Sequence, residues 1–309
     1  MRAVLALLAP RLGTALGSLL GAMVLLFLLT LLVPGNPAEV LLGPRATPEA
    51  VAAYARAMGL DQPVWRRGAI FLWRALRLDL GTDPVSGRPA AALVGEVLPP
   101  TLALTAAALL LALAAALPAG LLAARRPRGL ADRLVLALAP VAASLPSFVV
   151  ALLILLAGIS LFGRVPVLGG GGLRHLVLPA VALALGWFGS IALLLRAALA
   201  EILAAPHIRT LRAQGMAESR LLAGPALRAA AAPVLAVLGV GVGQMLSGAV
   251  FVEAIFGRPG LGSLIVRAIA ERDMPVVEAA VLVAVALFVA ANLAVDLLLP
   301  LLDPRRRAP

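Results

Sequence analysis

Apolar residues along this chain fall in long, nearly unbroken runs, separated by short segments rich in Arg, Gly and Pro. The runs cover roughly Leu12–Val33, Thr101–Ala124, Leu134–Phe162, Leu176–Leu203, Ala229–Val252 and Val276–Leu302. A helix needs about 20 residues to cross the roughly 30 Å hydrocarbon core of a bilayer, and each run is long enough. The pattern predicts an all-α protein, a polytopic membrane helix bundle of about six transmembrane helices. The first run follows Arg2 and Arg11. It is longer than the core of a secretory signal and no A-x-A site follows it, so it reads as an uncleaved first helix. The third run contains Pro140 and Pro146, whose freed carbonyls must be satisfied by neighbouring helices or local 3₁₀ geometry.

The segments between the runs differ in character. Residues 34–100 hold several charges, Trp65 and Trp73, and turn signals at Asp61-Gln62-Pro63, Gly81-Thr82-Asp83-Pro84 and Gly87-Arg88-Pro89. Thr47 is placed as an N-cap with Pro48 at the first helical position. The stretch reads as a small extramembrane subdomain with short helices. The remaining units are residues 1–33 (tail and first helix), 101–302 (helices two to six, with a loop at 204–228) and 303–309 (tail). Arg clusters lie at the N-terminus, at Arg125-Arg126-Pro127-Arg128, in 204–228 and at Arg305-Arg306-Arg307. Six crossings put all four on one side, which the positive-inside rule makes the cytoplasm. Both termini are then cytoplasmic, and 34–100, the Gly169–Gly172 turn and 253–274 lie outside.

Composition narrows the function. Of 309 residues 62% are hydrophobic and 13% charged, far from the balance of a soluble domain. Cysteine is absent, so thiolate metal sites and disulfides are excluded. Lysine is absent too, which rules out a G-x-x-x-x-G-K-[ST] phosphate loop: the chain cannot itself supply that loop for ATP hydrolysis. The net charge of +11 sits beside the apolar runs rather than on a nucleic-acid-binding face. No metal-ligand spacing, catalytic motif or cofactor motif is found.

The segment His207-Ile208-Arg209-Thr210-Leu211-Arg212-Ala213-Gln214-Gly215-Met216 leads into Ala217-Glu218-Ser219-Arg220-Leu221-Leu222. It predicts two helical pieces flanking Gly215. Ile208, Leu211, Leu221 and Leu222 are apolar anchors at helical spacing, and Gly215 is free to take positive φ. Two readings fit: docking into a groove of a cytoplasmic partner, or an interfacial helix on anionic lipid. Within the spans, Gln244, Asn292 and Asp296 are candidates to line a pathway or to hydrogen-bond another helix. Arg196 is expected to snorkel or to pair with Glu201. His175 reads as a surface residue at a membrane edge.

The segment from Arg209 to Gly215, with Pro233 further on, resembles the EAA loop of ABC-importer permeases. The resemblance is to the first-permease type of the dipeptide/oligopeptide/nickel branch. It extends to Pro34-Gly35-Asn36-Pro37-Ala38, Gly59-Leu60-Asp61-Gln62-Pro63, Asp79-Leu80-Gly81-Thr82, Leu98-Pro99-Pro100-Thr101-Leu102 and Ser144-Leu145-Pro146-Ser147-Phe148. Further matches are Leu173–Pro179, Val252-Glu253 with Phe256, Pro259-Gly260-Leu261-Gly262, Arg272–Val277 and Leu302–Arg305. Leu211, Gln214, the Pro206-His207 pair and Asn36 depart from the family pattern. The resemblance implies a type I importer permease with no catalytic residue and no cofactor. Its implied partners are a second homologous permease subunit, two cytoplasmic ABC ATPase subunits and an extracytoplasmic solute-binding protein, in the plasma (inner) membrane of a bacterium or archaeon. Arg209, Thr210, Leu211, Arg212, Gly215, Met216 and Leu221 would form the ATPase-coupling loop. Short peptides are the expected cargo, with nickel chelates and glutathione open. The alternative is a secondary carrier driven by an ion gradient.

Overall fold

The computed structural model describes residues 2–32, 47–57, 59, 61–162 and 174–302. The Pro34–Ala38 motif, Leu60, the Gly169–Gly172 turn and the tail from Asp303 lie outside the described residues. Within them the chain is helical: α1 (Arg2–Leu32), α2 (Pro48–Ala57), α3 (Val64–Leu76), α4 (Ala90–Arg125), α5 (Leu130–Ser144) and α6 (Ser147–Phe162). Then follow α7 (Arg174–Ala204), α8 (Pro206–Ala213), α9 (Glu218–Leu221), α10 (Leu227–Ile255), α11 (Leu261–Glu271) and α12 (Met274–Leu302). A π-helical turn at Leu222–Ala226, with Pro225 inside it, joins α9 to α10. Five helices are long and apolar enough to cross a membrane, six crossings if α5 and α6 together make one.

Two expectations are corrected, and one segment gains a helix. The third span is not one helix: α5 and α6 meet at 99°. Pro146 has no N–H and disfavours helical backbone at Leu145, which is extended at ψ 120. The break restarts a helix rather than bending one. The second helix begins at Ala90, within the expected subdomain, and runs 36 residues through Pro99 and Pro100. At 1.5 Å per residue that is about 54 Å, well beyond a hydrocarbon core. The polar segment 253–274 contains α11, whose Leu261, Leu264 and Ala268 are buried against Ala90, Val94 and Val276.

The centre of the bundle is the α4–α7 pair. Ala108, Ala112, Ala116, Gly120 and Ala124 recur every fourth residue on α4 and are all buried. Helices in lipid gain nothing from excluding water from each other, so close backbone approach through small side chains does this work. At Gly120 an added Cβ would lie 3.0 Å from Leu195 Cδ2 of α7. Both residues are near the C-terminal ends of their helices, so α4 and α7 run parallel. The chain between them therefore crosses once, which makes the broken α5–α6 pair a single crossing. By contrast Gly248 of α10 approaches Leu183 of α7, Gly239 approaches Val295 of α12, and Leu26 of α1 packs with Leu282. These pairs are antiparallel. The early part of α1, the turn 126–129, α8–α9 and the late part of α12 accordingly share one end of the bundle.

Candidate functional site

At that end, α8 and α9 form a short arm between two spans. Pro206 occupies the first turn of α8, where its missing N–H costs nothing. The helix closes with a Schellman motif: Gly215 N–H donates to the Arg212 carbonyl at 3.1 Å and Met216 N–H to the Leu211 carbonyl at 3.2 Å. Gly215 has φ +84, with open space where a side chain would be. Ile208, Leu221 and Leu222 are buried and fasten the arm to the bundle. Arg209, Thr210, Arg212 and Gly215 are exposed, while Leu211 and Met216 are half-buried. Leu221 thus belongs to the anchor and not to the presented surface. Arg212 Nε donates to the Glu218 carboxylate, bracing α8 against α9 across the Gly215 turn.

The arm stands over a second structure that the sequence reading missed. Arg196 does not pair with Glu201. Its Nε and Nη2 donate to the two carboxylate oxygens of Asp132 at 2.8 and 3.2 Å, and Asp132 also accepts the Arg128 N–H at 2.7 Å. Asp132 sits in the first turn of α5, where a carboxylate meets the positive end of the helix dipole. Geometry decides the choice: Asp132 presents both oxygens to one planar guanidinium, and its side chain is 3% exposed. The pair clamps the basic turn 126–129 onto α7. Arg125, Arg126, Ala200, Ala204, Arg212 and Glu218 line a cleft of about 460 Å³ between this turn and the arm.

Deeper in the bundle, the α5–α6 break faces α7 and α10. Ala143, Leu145, Ser147, Gly186, Trp187, Ser190 and Gln244 line a cleft of about 190 Å³ there. Irregular backbone survives at membrane depth only where protein or a cavity satisfies it. Gln244 is exposed in this cleft. The glycine beside it serves packing: an added Cβ at Gly241 would lie 2.6 Å from the Trp187 ring. The amide of Asn292 donates to the Phe288 carbonyl of its own helix at 2.9 Å and sits with Arg11, Thr14 and Ser18 at the α1–α12 seam. Asp296 lies one turn further along α12. The structure brings Gln244 together with Trp187 and Ser190, and does not bring Asn292 to that cleft. His175 is half-buried at the start of α7.

At the opposite end the motif residues form a buried knot. Glu253, at the end of α10, is fully buried; it accepts Thr101 Oγ1–H at 2.7 Å and Gly262 N–H at 2.9 Å. Thr101 Oγ1 in turn accepts the Leu261 N–H at 2.7 Å. Close approach explains the two glycines. A Cβ at Gly260 would lie 2.1 Å from the Glu253 carboxyl carbon, and one at Gly262 would lie 2.1 Å from Val250 Cα. The knot ties α4, α10 and α11 together. Beside it, Asp273 caps α12 through the Val276 N–H at 3.2 Å. Burial pushes its carboxyl up to about 6, and the nearby Asp83 adds to this.

An exposed, capped arm between two antiparallel spans and a broken helix facing a polar cleft mark this chain. Residues 116–308 match the family model described as binding-protein-dependent transport system inner membrane component. The chain belongs to this family. It is an importer permease of the ABC class and a multi-pass membrane protein. It is 37% identical over 98% of its length to a Brucella abortus protein named as a peptide transport system permease, 99% of which is covered. It is 33% identical to the dipeptide transport system permease protein DppB of Alkalihalophilus pseudofirmus, over 93% of this chain and 95% of that one. It is 32% identical to the glutathione transport system permease protein GsiC of Escherichia coli, over 92% of this chain and 93% of that one. Among solved structures, a chain of the inward-facing MetNI methionine ABC transporter superposes with a TM-score of 0.58 at 20% identity, covering 68% of this permease and 96% of that chain. That likeness is one of fold.

Proposed function

We propose that this permease forms half of a translocation pathway for di- or oligopeptides in a bacterial or archaeal inner membrane. An external binding protein delivers the cargo, a second homologous permease completes the pathway, and two cytoplasmic ATPase subunits drive it. ATP hydrolysis belongs to those subunits. The names of the peptide and dipeptide relatives support the cargo class. The observation that carries the mechanism is the α8 arm. It has a rigid Schellman end at Gly215, exposed Arg209, Thr210 and Arg212, and buried anchors at Ile208 and Leu221. An arm fixed at its root and presented at its tip transmits a push without bending, as rigid-body rocking of a bundle requires. In this reading the arm is the coupling helix, its end of the bundle is cytoplasmic, and both termini lie on that side. The cleft at Leu145, Trp187, Ser190 and Gln244 is the segment of pathway that this subunit contributes.

The test is co-purification of wild-type and Gly215→Val chains from membranes, with peptide uptake measured in parallel. Valine at φ +84 deforms the Schellman end while the open space around it leaves insertion intact. The expected result is normal expression, loss of the ATPase subunits from the purified complex, and loss of uptake. A variant that inserts, keeps its ATPases and transports normally overturns the coupling role.

A further inference from the structure

Helix α3 carries three distinct faces. Wound at 100° per residue, Gly68, Phe71 and Ala75 form the face turned to the bundle. The Phe27 ring of α1 fits against Gly68, where an added Cβ would be 2.9 Å from it. Phe27 and Phe71 stack with centroids 5.8 Å apart, and Ala75 is buried with Leu26 and Leu282. Next around the helix come Trp65, Ala69, Leu72, Trp73 and Leu76. Apart from the half-buried Leu72 this sector is uncovered: Trp65 is 75%, Trp73 57% and Leu76 59% exposed. The third sector holds Arg66, Arg77, Arg74 and Arg67 around Ile70, and the Arg77 guanidinium lies 4.3 Å from the centroid of the Trp73 ring.

The depth of this helix is fixed by its contact with α1. Phe27 lies five residues before Leu32, the end of an apolar span that runs Pro10–Leu32. At 1.5 Å per residue, α3 is therefore docked about 8 Å inside the end of that span. A protein approaching from water does not reach an apolar face at this depth, but the lipid around α1 does. Exposed tryptophans flanked by arginines are the composition of a helix lying in the membrane interface, with rings among the upper acyl chains and guanidinium groups on headgroup phosphates. We propose that α3 is an interfacial anchor in the leaflet opposite the α8 arm. Trp65, Trp73 and Leu76 enter the acyl boundary, and Arg66 and Arg77 meet phospholipid phosphates. The anchor holds the 79–89 loop, which follows directly, at a fixed height over the start of α12. Asp79, kept below its usual range by its hydrogen bond from Arg74, closes that connection.

The chain has no cysteine, so single labelling sites can be introduced without removing others. Nitroxide is attached at Ala69→Cys, in the middle of the apolar sector, and at Val85→Cys, 81% exposed in the following loop. The full chain is placed in vesicles of phosphatidylcholine and phosphatidylglycerol. Power saturation then compares accessibility to oxygen, which partitions into lipid, with accessibility to a water-soluble nickel chelate. The logarithm of the oxygen-to-nickel ratio is expected to be positive at residue 69 and negative at residue 85. Equal nickel accessibility at the two sites overturns the proposal by placing the sector in water. A label at 69 shielded from both reagents also overturns it, by showing that protein covers the sector. Leu76→Cys, on the same sector, gives the same reading if the residue 69 variant does not insert.

Discussion

The Asp132–Arg196 pair allows the sharpest test of how this bundle is held together. Replacing Asp132 by Ala leaves a guanidinium with 26% of its side-chain surface exposed and no carboxylate to receive it. Breaking a buried pair from one side costs about 3–5 kcal/mol. Because Arg196 can turn partly toward water, the lower end applies, about 3 kcal/mol. Arg196→Ala strands a carboxylate whose side chain is only 3% exposed and which keeps a single backbone partner, Arg128 N–H at 2.7 Å. Its cost belongs nearer the upper end, about 4 kcal/mol. The double variant strands neither charge, so it should lie well short of the sum, with a coupling energy of about 1–3 kcal/mol. Arg196→Lys should recover only part of the loss, because an ammonium cannot engage both carboxylate oxygens in the same plane. The assay is equilibrium unfolding of the purified chain in bicelles by titrated denaturing detergent, followed by far-UV circular dichroism, for wild type, both single variants and the double. Single variants within about 0.5 kcal/mol of wild type, or a cycle that adds to within the same margin, would refute the clamp.

Three further outcomes follow from other contacts. Gly189→Ala puts a Cβ 2.3 Å from the Ala139 carbonyl oxygen of α5, and since backbone must move it should cost about 1–3 kcal/mol in the same unfolding assay. Thr101→Val removes at once the donor to Glu253 and the acceptor for Leu261 N–H, and about 1–3 kcal/mol for each buried group left short should appear as a lowered unfolding midpoint. Asp273 holds its proton up to about pH 6 when folded, whereas an unfolded aspartate releases it near 3.8. Its contribution to stability is therefore full below about pH 4 and lost as pH rises through about 6. Thermal midpoints between pH 4 and 7 should fall in wild type across this window. They should change less in Asp273→Asn, which keeps an acceptor for Val276 N–H.

Hydropathy alone marked the crossings, because the length of an apolar run is a local property that a bilayer reads directly. The same holds for the arm. Pro206, the anchors Ile208 and Leu221, and Gly215 are enough to specify a short capped helix, and its end requires φ +84 at the glycine. What the sequence left open involves residues far apart in the chain. Arg196 has Glu201 five residues away, yet it pairs with Asp132, 64 residues distant. Glu253 meets Thr101 across 152 residues. The repeat Ala108, Ala112, Ala116, Gly120, Ala124 was a readable sign that α4 has a close partner, but nothing local names α7 as that partner or says that the two run parallel. Pro146 signalled a disturbance in the third span, but whether it bends a helix or ends it depends on the surroundings of the freed backbone, and here the break lies against the cleft with Gln244. The sequence by itself determined where the chain crosses the membrane and where the arm stands. The tertiary structure decided which helices touch and which charges meet, because in lipid those choices rest on shape and hydrogen bonding between distant segments, not on apolarity that all the spans share.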